Sequence, residues 1–181
     1  MRHEVRFSGF GGQGIILSAV ILGRAAALYD DTHAIQTQVY GPEARGGASM
    51  SAVIIDDEPI LYPKVSRPDI YVIMSQEGYE KYGVEAGSDA VMLVDSGLVH
   101  SRPACTCFEI PATREAKATL GRVIVANIIM LGALVAATGV VSRTAIQKSV
   151  LDSVPKGTED LNLTALSHGF ALAEKELETD S

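Results

Sequence analysis

The chain has 181 residues, enough to bury one sizeable core, and one domain over residues 1–181 is expected. Hydrophobic residues make up 47% and charged residues 20%, a globular composition that excludes a disordered chain. A net charge of −7 and a pI near 5.0, with no run of Lys or Arg, leave no footprint for a phosphate backbone, so nucleic acid is not expected as a partner.

Taken in chain order, Val5 to Ser8 reads as a short strand, and the glycine-rich turn after it leads into an apolar helix from Ile15 to Leu28. "AIQTQVY" alternates, with Ile35, Thr37 and Val39 on one face and Gln36, Gln38 and Tyr40 on the other, as a half-covered strand does. Residues 48–55, "ASMSAVII", are a further strand candidate. "DIYVIMS" and "AVMLVDS" are compact apolar runs ended by small polar residues, the pattern of central parallel strands. From Pro111 onward the pattern turns helical, with Ser142 and Asn162 as N-cap candidates. The order predicts an α/β, Rossmann-like layered domain with a mostly parallel sheet and a helical C-terminal third.

Residues 123–142, "VIVANIIMLGALVAATGVVS", carry no charge over about the length of a bilayer span. Asn127, Gly132, Thr138 and Gly139 interrupt the run, and no aromatic residue flanks it. A helix buried on most faces is the preferred reading, so no membrane partner is expected. Its glycines and alanines would also permit close packing against another chain. The N-terminus lacks the apolar stretch of a signal peptide, and the only cysteines are Cys105 and Cys107. A cytoplasmic location is therefore expected.

Gly9-Phe10-Gly11-Gly12-Gln13-Gly14 is a literal G-x-G-x-x-G between strand and helix. Backbone N–H groups and the helix dipole at such a turn favour an anion. A dinucleotide unit also needs a second parallel strand ending in Asp or Glu about 20 residues on. The corresponding strand ends in Tyr40-Gly41-Pro42, while Asp30 and Asp31 precede it. A structural turn, an anion site and an NAD or FAD site all stay open on the residues alone. In "QTQVYGPEARGGASMS", Glu43 and Arg45 sit between Gly41-Pro42 and Gly46-Gly47. This is either a solvated tip or a contact loop beside a polar strand face. Cys105 and Cys107 form a lone C-x-C, and the four histidines show no ligand spacing. No metal site is expected.

"SGFGGQGIILSAVILGRAA", "QTQVYGPEARGGASMSAVIIDDEPI" and "YPKVSRPDIYVIMSQEGYEKY" closely resemble the gamma subunit of 2-oxoacid:ferredoxin (or acceptor) oxidoreductases, the pyruvate/ketoisovalerate oxidoreductase gamma family. Within it the wording is most similar to the 2-oxoglutarate type. The resemblance implies a non-catalytic subunit, inactive alone, of a complex that oxidatively decarboxylates a 2-oxoacid with coenzyme A to acyl-CoA, carbon dioxide and reduced acceptor. It implies alpha, beta and ferredoxin-like delta partners that hold thiamine diphosphate, Mg and iron–sulfur clusters, with ferredoxin or another low-potential acceptor. It puts Gly9, Gly11, Gly12, Gln13 and Gly14 near the coenzyme A phosphates. Gln38, Tyr40, Glu43, Arg45, Gly46 and Gly47 become an interface or active-site-facing loop. Some larger pyruvate-type relatives have Asn-Lys after the glycine loop, where Ile16 and Leu17 stand here. Phosphate binding would then rest on backbone N–H groups and the helix dipole. The alternatives are a self-contained NAD- or FAD-binding oxidoreductase domain, and the equivalent subunit of an indolepyruvate or branched-chain oxoacid enzyme.

Overall fold

The apolar runs become strands and the periodic segments become helices in a computed structural model that describes residues 1–39, 47–63, 65 and 67–179. In chain order they are β1 (His3–Phe10), α1 (Ile15–Tyr29), β2 (His33–Val39), β3 (Ala48–Asp56), β4 (Ile70–Ile73), α2 (Gln76–Tyr82), β5 (Val91–Asp95) and β6 (Thr106–Ile110). The helical part follows as α3 (Ala112–Thr119), a 3-10 turn at Val123–Val125, α4 (Ala126–Thr138), α5 (Arg143–Ser153) and α6 (Glu159–Thr179). The six-stranded sheet has the order β2-β3-β1-β4-β5-β6. β1, β4, β5 and β6 run parallel, while β3 is antiparallel to both β1 and β2.

Alternation along the strands sorts the core into two layers. Val5, Phe7, Val53, Val72 and Leu93 face the side covered by α1 and the C-terminal helices. Ile73, Met92 and Val94 face the other side, where Tyr79 of α2 packs. Register pairs Gln36 with Val53, and Gln38 with Ser51, itself paired with Phe7. The polar face of β2 therefore lies on α1's side of the sheet, where Gln36 Nε2 donates to Ser51 Oγ at 2.7 Å. At the opposite edge the Glu109 N–H of β6 donates to the Glu176 carboxylate at 2.8 Å, which blunts that edge against further strand pairing.

The uncharged run is divided rather than continuous. A 3-10 turn opens it, α4 covers 13 residues, and Gly139 stops the helix at φ 64° with its N–H on the Val135 carbonyl. No helix among the described residues is long and apolar enough to cross a membrane. Its glycine serves this chain's own packing: a Cβ on Gly132 would fall onto the Leu166 carbonyl of α6, and one on Gly169 onto the Ile129 carbonyl of α4. The two helix backbones touch at that crossing.

Two sequence expectations need correction. Ser142 does cap α5, accepting from Ala145 N at 3.1 Å, but Asn162 lies inside α6, where its Nδ2 donates back to the Thr158 carbonyl at 2.8 Å. β6, which carries Cys107, was not read as an element. β6 is partly exposed and polar at its start, so its alternation is weak.

Candidate functional site

The glycine loop lies where the chain leaves β1 for α1 on one face, beside β4, which leads into α2 on the other. Parallel neighbours whose helices depart to opposite faces open a crevice at their carboxyl ends, the usual ligand position in open α/β sheets. Gly14 caps α1 in the left-handed region at φ 75°, a conformation a side chain enters only at a cost. The first intrahelical bond runs from Ser18 N to Gly14 O at 2.9 Å. Ile15, Ile16 and Leu17 therefore begin the helix with N–H groups that have no intrahelical acceptor. The first turn of α1 carries no acidic residue, so its partial positive charge is not neutralised locally. Around Gly11 and Gly12 an added Cβ would meet nothing within 4 Å. The backbone there is open to an approaching group.

The polar side chains at this crevice hold backbone. Gln13 Oε1 accepts from Phe10 N at 2.6 Å, and its Nε2 donates to the Met74 carbonyl at the end of β4 at 2.8 Å. Ser8 Oγ donates to the Gly78 carbonyl at 3.2 Å, and Ser75 Oγ caps α2 by accepting from Gly78 N at 3.0 Å. Gly78 is packed so tightly that a Cβ there would lie 3.0 Å from Gly9 N. On the far side Asn127, at the start of α4 and 3% exposed, sits under Gly14 with Nδ2 at 3.4 Å from its carbonyl.

The structure brings part of the second motif to the same place. Register pairs Gly9 with Ser49 and Phe10 with Ala48, so Gly47 enters the sheet beside the end of β1. Ser49 Oγ donates to the Gly9 carbonyl at 3.2 Å, and Ala48 N to Glu77 of α2 at 3.2 Å. Gln38 is exposed on β2, opposite Ser51 and one strand removed from β1. Tyr40, Glu43, Arg45 and Gly46 lie outside the described residues. Asn127, Ser75, Glu77 and Gly78 were not anticipated. Asn127 is 113 residues from its partner Gly14, and no local pattern marks it; Ser75 before Gln76-Glu77-Gly78 does carry a visible N-cap signature.

The dinucleotide requirement fails on topology. The strand that follows α1 is β2, at the sheet edge, and antiparallel β3 separates it from β1. Asp30 is spent elsewhere, accepting from Ser142 N and Ser142 Oγ at 2.6 Å each.

Elsewhere, buried titratable groups serve structure. Asp95, fully buried at the end of β5, accepts from Thr113 N at 3.0 Å and Thr113 Oγ1 at 2.5 Å and so anchors the start of α3. Burial pushes its carboxyl up, partly offset by those hydrogen bonds. Burial likewise raises the Cys107 thiol to about 11, the direction of an unreactive cysteine. Among the described residues no group of three or more His, Cys, Asp or Glu could hold a metal ion.

The family model for pyruvate ferredoxin/flavodoxin oxidoreductase matches residues 4–172. The 2-oxoglutarate synthase subunit KorC of Methanocaldococcus jannaschii is 55% identical over 97% of this chain and 96% of its own. The crystal structure of a keto/oxoacid ferredoxin oxidoreductase gamma subunit from Geobacter sulfurreducens superposes with a TM-score of 0.86 at 44% identity, covering 96% of this chain and 99% of that one. A 2-oxoglutarate:ferredoxin oxidoreductase from Magnetococcus marinus, solved with 2-oxoglutarate, coenzyme A and succinyl-CoA bound, contains the same fold within 31% of its chain, with a TM-score of 0.82 at 22% identity over 96% of this chain. The chain belongs to the pyruvate ferredoxin/flavodoxin oxidoreductase family, as a gamma-type subunit of an oxoacid:ferredoxin oxidoreductase complex.

Proposed function

We propose that this chain is the non-catalytic gamma subunit of a 2-oxoglutarate-type complex, with its glycine loop set beside the phosphates of coenzyme A. The carrying observation is the crevice at β1 and β4. The first N–H groups of α1 have no intrahelical acceptor, while Gln13, Ser8, Ser75, Glu77 and Asn127 hold the surrounding main chain. An arrangement of that kind grips an anion through N–H groups and does no bond-breaking of its own. Similarity to a 2-oxoglutarate synthase subunit over almost the full length supports the choice of oxoacid.

On this reading the alpha and beta chains hold thiamine diphosphate and Mg, and beta and a ferredoxin-like delta chain hold the iron–sulfur clusters. Electrons leave to ferredoxin or another low-potential acceptor, and the assembly works in the cytoplasm. Coenzyme A passes along this subunit to the partner chains, where the thioester forms. Residues 1–181 act as one unit. Gln38, Tyr40, Glu43, Arg45, Gly46 and Gly47 supply a loop that faces a partner chain or the active site, with Arg45 suited to a two-pronged pairing with carboxylate or phosphate.

The test is anaerobic co-purification with the partner chains, followed by oxoacid- and coenzyme A-dependent reduction of a viologen dye. Activity on 2-oxoglutarate above pyruvate, branched-chain oxoacids and indolepyruvate is expected; preference for any of those would overturn the substrate. Arg45→Ala should weaken assembly or raise the KM for coenzyme A and leave the free chain's Tm unchanged. Unaltered assembly and kinetics would remove Arg45 from that role.

A further inference from the structure

The two edges of the sheet are finished differently. At β6 the Glu176 carboxylate takes the Glu109 N–H at 2.8 Å and so occupies an edge donor. β2 carries no such device. It runs for 7 residues, His33–Val39, contains no Asp, Glu, Lys, Arg or Pro, and pairs residue for residue with β3 without a bulge. Among the described residues no strand lies beyond it, and no backbone group of residues 33–37 bonds outside the β2–β3 pair. Natural edge strands are kept from pairing by shortness, charge, proline, bulges or a covering element. An edge without such protection is a template for another strand.

The side chains of β2 indicate which strand. The chain carries a net charge of −7, so two copies repel each other over much of their surface. β2 is a stretch where they meet without like carboxylates. Antiparallel pairing about a two-fold axis perpendicular to the sheet keeps each face of the strand on its own side. With the axis at Gln36, the middle residue, Gln36 meets the partner's Gln36 and Ile35 meets the partner's Thr37. An amide both donates and accepts, so Gln36 faces its own copy without a mismatch. Ile35 and Thr37 are β-branched and partly exposed, on the face away from α1; pairing across the axis gives each a cross-strand neighbour.

We propose that β2 joins a second copy of this chain edge to edge, turning two six-stranded sheets into one continuous sheet. The inference goes beyond the coenzyme A reading and does not depend on it. β1 and β2 run the same way, each being antiparallel to β3, so the glycine loops of the two copies open at opposite ends of the joined sheet. Each loop then serves its own set of partner chains, and the paired gamma chains link two halves of a larger assembly.

The test uses the full chain in solution. Sedimentation equilibrium should give a particle of twice 19.2 kDa. Thr37→Lys places a charge on the edge, the device other proteins use there, and should weaken the dimer about tenfold or more with the far-UV circular dichroism unchanged. Adding Ile35→Glu to Thr37→Lys sets opposite charges against each other across the axis and should recover most of that loss. Gln36→Cys should cross-link to its copy on mild oxidation, because facing residues of an antiparallel pair stand about 4.5–5.5 Å apart at Cα, within reach of a disulfide. The wild type, whose cysteines lie at or beside β6 on the far edge, should not cross-link. A wild-type chain that stays monomeric at about 100 µM, or a dimer that Thr37→Lys leaves unweakened, would overturn the proposal. A monomer in which Thr37→Lys instead abolishes binding of another chain of the complex would overturn it in favour of a strand from that chain.

Discussion

Glycine is used in opposite ways at the start of α1 and at the crossing of α4 with α6. Before α1, Gly11 and Gly12 have open space around them and Gly14 turns the chain into a helix whose first N–H groups have no intrahelical acceptor. At the crossing, Gly132 and Gly169 have no space at all, because each accepts the other helix's backbone where a side chain would be. The first set leaves polar backbone available; the second lets two helices approach until only main chain separates them. Composition cannot distinguish the two, since both are glycines in apolar surroundings.

Substitution by alanine should separate them, and the largest effect belongs to the helix crossing. Gly169→Ala places a methyl against backbone that cannot yield, beyond the about 1–3 kcal/mol of ordinary overpacking. At about 2–4 °C per kcal/mol for a chain of this size, a Tm loss of roughly 10 °C is expected in a thermal melt. A loss within about 2 °C would mean that α6 slides freely past α4. Gly14→Ala comes next, since it combines left-handed backbone with a collision against Asn127. Pairing it with Asn127→Ala should restore the collision part and leave roughly the 1–2 kcal/mol backbone cost; strict additivity of the two changes would show that Asn127 does not press on the loop.

Gly11→Ala should break the symmetry of the comparison. Its φ is not positive and nothing lies near, so stability should stay within about 0.5 kcal/mol. If the loop holds the coenzyme A phosphates as proposed, the KM for coenzyme A should nevertheless rise severalfold, because the methyl would stand in their way; unchanged kinetics would move the phosphate elsewhere.

The smallest effect concerns α6 away from its glycine. His168 Nε2 lies 3.0 Å from Glu115 of α3, and that hydrogen bond holds the Glu115 carboxyl below its ordinary 4.5. A carboxylate depressed in the folded state contributes stability above its unfolded value and loses it as pH falls through the folded one. The small Tm difference between wild type and Glu115→Gln should be present at pH 6 and close at pH values below about 4. A difference independent of pH would assign the effect to packing.

Much of the architecture was legible because strand and helix periods are local. β1, α1, β3, β4 and β5 stand where alternation or continuous apolar runs placed them, and Ser142 caps α5 as its position before a helical pattern implied. What escaped is non-local. The separation of β2 from β1 depends on β3 inserting between them, which no window of β2 records. The polar face of β2 was visible, but the side it takes follows from register with Ser51 and Val53. Asn162 passed for a cap because it precedes a run of helix formers, whereas α6 begins at Glu159. The glycine motif announced the loop, and its supports, Met74 and Asn127, became evident only in three dimensions.

Gln13 gives the loop a kinetic character as well as a shape. Its amide ties Phe10 to the end of β4, so a group captured as proposed would meet a finished receptor, with little main-chain freedom left to lose. Arrival should then be set by diffusion and orientation, and residence time should absorb most of the change when neighbouring residues are altered.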